Sequence, residues 1–260
     1  MRRLGLAVLA LGALCLTGAA ARAQTPDAPL GALAPDNLHK KRPKPPFDLT
    51  GAWFVDLSTG PSSFMFGPPY PKFKPEAQKE FEAGQRETAS GHAYKDYIGA
   101  CYPAGLPMIM TRVWPIAMVQ LPTVVYMVSG FENAFRAIYL DGRPHTDPDV
   151  VVRSFNGESV GHWEGDALVV DSTAFIPEHH TIDLGVPISD QFHVVERIRL
   201  QNDGKRLEIA YTMTDPKMWD GEWASIKHWK RVDDQDISEV ECLPDLDSHL
   251  PSTSSTLNIR

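Results

Sequence analysis

The sequence predicts an all-β protein, a single antiparallel up-and-down barrel, with a β-sandwich as the alternative. Three observations carry this expectation. Beyond Ile109, apolar and polar residues alternate in short runs separated by turn residues. No helical pattern falls between those runs, so neighbours in sequence pair antiparallel. Proline, at 22, exceeds glycine, at 19, which suits strands and loops better than long helices.

The elements follow in order. Residues 24–46 are Pro-rich and lack periodicity, and read as an extended leader. Asp48-Leu49-Thr50-Gly51-Ala52-Trp53-Phe54 opens the β-domain, which spans 47–247. One short helix is expected over 75–88, with Pro75 in its first turn, Glu76 near its N-terminus and Phe73, Ala77 and Phe81 at helical spacing. Pro103, Gly105 and Pro107 shape a loop after Cys101. Strands are then expected at Ile116–Leu121, Val124–Val128, Ala134–Leu140, Glu158–Trp163, Ala167–Thr173, Phe192–Leu200, Leu207–Thr214, Glu222–Val232 and Ile237–Cys242. Glu164-Gly165-Asp166 and Asn202-Asp203-Gly204 are the clearest hairpin tips. Residues 248–260, rich in Ser and Thr, read as a flexible tail.

The N-terminus carries an address. Met1-Arg2-Arg3 precedes an apolar run, Leu4–Leu16, and Ala21-Arg22-Ala23 offers the small-x-small pattern of signal cleavage. Cleavage after Ala23 and a periplasmic or secreted location are expected. The run is too short for a membrane span, so no stable membrane insertion is expected after processing. The chain has 25 basic and 33 acidic residues, and cleavage would remove three of the basic ones. Such a balance repels phosphate backbones and argues against nucleic acid as a partner. Cys101 and Cys242 outlast cleavage and are expected to form a disulfide in an oxidising compartment. That bond would close a loop of more than half the chain, worth about 4–5 kcal/mol in the chain-entropy picture.

Candidate chemistry centres on the strand Phe192–Leu200. Phe192, Val194, Ile198 and Leu200 share one face by period two, and Glu196 sits among them. A carboxylate on an apolar face must be paired, protonated or turned toward a polar cavity. Glu196 is thus either an acid or base with a perturbed pKa or half of a salt bridge with Arg136 or Arg112. His193 falls on the opposite face and is the second candidate for proton transfer, with Tyr139 as the third catalytic candidate. Arg112, Trp114, Arg143 and His145 lie in loops or at strand ends, where a barrel mouth places ligand contacts. His145, His162, His179, His180 and His193 are close in sequence but lack metal-ligand spacing, so no metal is expected. Gly157-x-Ser159-x-Gly161 lacks the following helix of a nucleophile elbow, and Trp163-Glu164-Gly165-Asp166 reads as a hairpin tip. There is no phosphate-binding loop and no dinucleotide glycine fingerprint, so no cofactor is expected.

The Gly51-x-Trp53 pair on a first strand resembles the opening motif of lipocalins and related calycin barrels, in which the Trp closes the barrel floor. A wider set of segments resembles a large family of exported bacterial proteins: Asp48-Leu49-Thr50-Gly51-x-Trp53, Cys101-x-Pro103-x-Gly105-x-Pro107 and Arg112-x-Trp114-Pro115, then Tyr139-x-Asp141-Gly142-Arg143-Pro144-His145. The likeness continues through Ser159-x-Gly161-x-Trp163-Glu164-Gly165-Asp166-x-Leu168-Val169-Val170-Asp171 and His193-Val194-Val195-Glu196-Arg197. It implies export and attaches no activity. Two positions depart from the family pattern, Glu158 and Ile188-Ser189-Asp190, where relatives carry histidines.

Two functions are open at this point. One is a cofactor-independent enzyme doing acid–base chemistry, of isomerase or lyase type, on a small, partly apolar substrate. The other is a lipocalin-like carrier of a small molecule, which needs only an apolar pocket with a few polar contacts. An enzyme site built from Glu196, His193, Tyr139, Arg112 and His145 requires them to converge within about 6–8 Å. Oligomeric state has no signature in the sequence.

Overall fold

Nine strands close into one barrel, arranged around the ring in their order along the chain. The computed structural model describes residues 30–90, 97–98, 100–132, 134–183, 185–239 and 242. The expected signal segment with its cleavage point after Ala23, and the tail 248–260, lie outside the described residues. The described residues from Gly31 onward form one compact unit. The strands are β1 (Gly51–Val55), β2 (Ile116–Gln120), β3 (Val124–Ser129), β4 (Phe135–Tyr139) and β5 (Glu158–Glu164). They continue with β6 (Ala167–Thr173), β7 (His193–Gln201), β8 (Arg206–Thr214) and β9 (Trp223–Val232). Among the described residues no helix is long and apolar enough to cross a membrane.

A closed ring with an odd number of strands cannot alternate direction all the way round. Here the break falls between β4 and β5, which pair in parallel at Ile138↔Ser159 and Tyr139↔Val160. The expectation of a wholly antiparallel barrel is corrected at this seam. A parallel pair needs a crossover of a dozen residues or more. Residues 140–157 supply it.

Elsewhere the alternation and turn signals hold. Gly165 (φ 58°) turns β5 into β6, and Asn202, Asp203 and Gly204 (φ 51°, 52° and 88°) turn β7 into β8. The expected helix spans Pro75–Ala89. Its Phe81 meets Phe73 at 5.0 Å and Tyr70 at 4.7 Å between ring centroids, so the stripe is packing. Two local expectations change. Described residues 237–239 are not strand; the disulfide Cys101–Cys242, spanning 141 residues, ties this end instead. The leader is not extended throughout. Pro35–Leu38 makes a helical turn, Thr123 Oγ1 donates to the Ala32 carbonyl at 2.7 Å, and Asn37 Nδ2 donates to Asp141 Oδ2 at 2.9 Å.

One end of the barrel is fastened by Trp53, fully buried, whose Nε1 donates to the Leu49 carbonyl at 2.9 Å. The Arg231 guanidinium lies 4.3 Å from its ring centroid and donates to the carbonyls of Thr50 (2.7 Å) and Gly204 (2.9 Å). Gly51 makes this possible. Its φ of +143° disfavours other residues, and a Cβ there would stand 2.2 Å from Arg231 Nη1.

Inward positions are mostly apolar, with Lys227 on β9 buried against the carbonyls of Ser62 and Met65 and one ion pair elsewhere in the interior. Arg136 on β4 and Glu196 on β7 face each other inside the barrel, 4 % and 0 % exposed. Both guanidinium nitrogens of the fork donate to the carboxylate, Nη1 to Oε1 at 3.1 Å and Nη2 to Oε2. Arg136 also donates to Ser159 Oγ on β5 at 3.2 and 3.1 Å and to Ser172 Oγ on β6 at 3.2 Å. The space beside it measures about 10 Å³, too little for more than one water. Tyr211 on β8 is buried with them, and burial together with Glu196 pushes its hydroxyl well above the ordinary phenol range.

Breaking one partner of such a pair leaves the other charge stranded. Glu196→Leu is expected to reduce the unfolding free energy by about 3–5 kcal/mol in urea denaturation. Arg136→Met combined with Glu196→Leu is expected to recover most of that loss. A double variant as unstable as the single one would show that the pair itself, and not the stranded charge, carries the stability.

Candidate functional site

The outer face of β4–β7 carries a continuous polar cluster on which the 140–157 crossover closes. Register explains which side chains meet. Glu158↔Thr173 and Val160↔Asp171 pair between β5 and β6, and Asp171↔Val195 between β6 and β7. Alternation then sends Glu158, Asp171, Thr173 and His193 to one outer surface, while Ser159, Ser172, Val194 and Glu196 point inward.

Asp171 is the centre. Its Oδ2 accepts from His193 Nε2 at 3.0 Å, and its Oδ1 lies 2.9 Å from His145 Nε2. The other nitrogen of His145 is 3.1 Å from Glu158 Oε2 and 3.4 Å from Thr173 Oγ1. Glu158 is held in turn by the Thr146 N–H (2.8 Å) and hydroxyl (2.5 Å). With a carboxylate at each ring nitrogen, His145 can donate to both only as the imidazolium. The two histidines approach different oxygens of Asp171 and do not converge on a common point. Among the described residues no group of three or more His, Cys, Asp or Glu has the geometry to hold a metal ion.

The electrostatics follow from these contacts. Burial acts to raise the Asp171 carboxyl, but the bonds from His193 and His145 outweigh it and hold it below the ordinary range. The bond to Asp171 raises His193 against an opposing effect of partial burial. Burial likewise acts to raise Glu158, and the Thr146 and His145 contacts bring it down. The His193 side chain remains 36 % exposed. Nε2 is committed to Asp171, and among the described residues no partner is found for Nδ1, so that atom can exchange a proton with a bound molecule.

The crossover adds a second layer. Arg143 Nε and Nη2 donate to Asp141 at 2.8 and 2.6 Å, and its guanidinium lies 4.2 Å from the Tyr139 ring centroid. Asp141 raises Arg143, and Arg143 holds Asp141 down at about 2. The Glu158 carboxylate also acts on Arg143, which links this pair to the histidine cluster. Through Asn37 the chain of contacts reaches Arg42, whose Nη2 donates to Asn37 Oδ1 at 2.5 Å.

The sequence-predicted residues divide. His193 and His145 share Asp171, and Tyr139 and Arg143 stand beside them. Glu196 is on the inner face of the same strand, sealed against Arg136, and does not join His193 in one site. Arg112 follows the 3-10 turn Met108–Thr111 and acts on the buried Asp183. Trp114 packs on Phe131 at 6.2 Å. The expected convergence of five residues is therefore not met. Asp171 and Glu158, which sequence reasoning did not single out as site residues, occupy the middle. Asp171 was detectable as the carboxylate that ends the apolar run Ala167–Val170, but its histidine partners depend on strand register.

The raised His193 gives a pH signature. Its contribution to stability is fully present below about pH 6.5, the ordinary imidazole value, and is lost as pH rises through the higher folded value. The lowered Asp171 contributes above the ordinary carboxylate range and loses its share as pH falls through its folded value. In histidine ring NMR titrations, Asp171→Asn is expected to bring the His193 titration down toward 6.5. The stability gap between the two proteins is expected to be largest from about pH 5 to 6.5 and to narrow above it. An unchanged His193 titration would show that Asp171 does not set its protonation. No family model matches the chain, and no curated protein matches it.

Proposed function

We propose that the protein is an exported, cofactor-independent enzyme that moves a proton on a small, partly apolar substrate, in a reaction of isomerase or lyase type. The observation that carries this reading is the His193–Asp171 bond. A carboxylate that fixes Nε2–H leaves Nδ1 with the lone pair, which is the arrangement of an oriented general base. Glu158–His145 is the second acid–base pair, positioned on the same carboxylate and able to supply the returning proton. Tyr139 and Arg143 border the site as groups that orient a substrate, with the Arg143 charge already shared with Asp141. Val160 and Val195 flank Asp171 in the same cross-strand row and offer the apolar contact.

The Cys101–Cys242 disulfide supports an oxidising compartment, and with the N-terminal address it supports a periplasmic or secreted protein. The carrier reading has less behind it. A lipocalin-like carrier holds its ligand inside the barrel, and here the inward positions are filled by Trp53, Met118, Ile138, Tyr211, Met213 and Trp229.

The test follows hydrogen–deuterium exchange. A panel of small carbonyl and hydroxy compounds is incubated with the protein in D₂O, and proton NMR reads loss of C–H signal. Catalysed exchange at one position of one class is expected. His193→Gln is expected to slow it by about 10²–10⁴-fold with the fold intact by circular dichroism. Exchange that persists at the wild-type rate in His193→Gln, or a panel with no exchange above buffer, would overturn the assignment.

A further inference from the structure

Away from the histidine cluster lies a cleft of about 320 Å³, within the range of small-molecule sites. Glu80 of the helix Pro75–Ala89 lines it on one side, and the loop carrying Glu178 and His179 on another. Tyr97, Ile188 and Met218 also line it.

The loop is held in an uncommon form. His179 has a left-handed backbone, φ 61°, seldom seen outside glycine. That conformation sets its ring against two tyrosines. It stacks on Tyr102 with centroids 4.2 Å apart, and meets Tyr97 edge-on at 4.9 Å and 73°. His179 and Tyr97 thus form two walls of an aromatic corner within the cleft. The neighbouring His180 anchors the loop from below. Its Nδ1 donates to the Ile176 carbonyl at 3.1 Å, and its ring packs so close to Gly105 that a Cβ there would stand 2.5 Å from Nε2. Burial holds His180 down at about 4, so it is neutral at ordinary pH and adds no positive charge.

The charge of the lining is one-sided. Glu178 brings an exposed carboxylate, and no Lys or Arg is among the described lining residues. An anionic ligand would meet like charge. A positive one gains from the Glu178 carboxylate and from the Tyr97 ring, whose quadrupole attracts cations. Pro177, Pro187, Ile188 and Met218 offer apolar contact to substituents around that charge.

We infer that this cleft binds a small organic cation, an ammonium group carrying apolar substituents. The site stands apart from the histidine cluster and does not depend on the activity proposed there.

Calorimetric titration of the full-length protein with choline tests it. The comparison ligand is 3,3-dimethylbutan-1-ol, which matches choline in shape and lacks the charge. Saturable choline binding is expected, with the alcohol weaker by about tenfold or more. Glu178→Gln, an exposed and isosteric change, is expected to weaken choline about three- to fivefold at unchanged thermal stability. Choline is also expected to shift the His179 ring protons in NMR spectra. Equal affinity for choline and the alcohol would mean an apolar pocket indifferent to charge and would overturn the inference. So would the absence of saturable choline binding, or binding that Glu178→Gln leaves unchanged.

Discussion

The ion pair between Arg136 and Glu196 fixes the part of the barrel where strand pairing is weakest. β4 and β5 are the parallel neighbours of the ring and share two paired positions, against seven between β5 and β6. Arg136 spans that seam from the inside, bonding β5 through Ser159, β6 through Ser172 and β7 through Glu196. Four strands therefore meet at one guanidinium. Such a pair adds little net stability compared with well-packed apolar residues, because two charges must be stripped of water. Its value lies in what it forbids. Any other register of β4 against β5–β7 leaves a charge buried without a partner, at a cost of several kcal/mol.

The same constraint organises the outer surface. Side chains on a strand alternate, so a slip of one residue exchanges inner and outer sets. With Ser159, Ser172 and Glu196 pinned inside, their neighbours Glu158, Asp171, Thr173, Val195 and Arg197 have no choice but to face outward. His193, two positions before Val195, goes with them. The outer cluster is thus assembled by the inner one across the thickness of a single sheet. The crossover 140–157, required by the parallel seam, then delivers Arg143 and His145 to the surface so prepared, beside Tyr139 at the end of β4. One topological requirement, an odd ring, links the buried pair to the exposed site.

Much of this was legible in the residues. Period-two alternation placed the barrel strands, set His193 and Glu196 on opposite faces and named Arg136 among the two partners open to Glu196. Gly165 and the Asn202–Gly204 tip marked their hairpins because φ > 0 is a local demand that few residues satisfy. What was not legible is non-local. The pairing of β4 with β5 is decided by ring closure, not by any turn between them. Asp171 acquires its histidines only through the registers of two different strand pairs and the path of a loop. The leader looked extended because proline-rich chain has no period, yet Ala32 and Asn37 find fixed partners in Thr123 and Asp141. Ile237–Cys242 alternates like a strand, but the barrel is already closed by β1 and β9, the described residues 237–239 join no ladder, and the disulfide holds this end.

The outer network is hard to justify by stability alone. Half-exposed ion pairs are worth about 0–1 kcal/mol each, and holding long side chains in one geometry costs rotamer entropy. Glu158, His145, Asp171 and His193 nonetheless form an unbroken alternation of carboxylate and imidazole, with every carboxylate oxygen facing a donor. A salt bridge selected for folding would do as well with lysine. Imidazole differs from lysine in that its charge changes near neutral pH and that one ring can both accept and donate a proton. Two such rings on one carboxylate, with no partner for His193 Nδ1 among the described residues, cost ordering entropy comparable with what half-exposed ion pairs return. Proton exchange with a bound molecule, the activity proposed above, would use both of those properties.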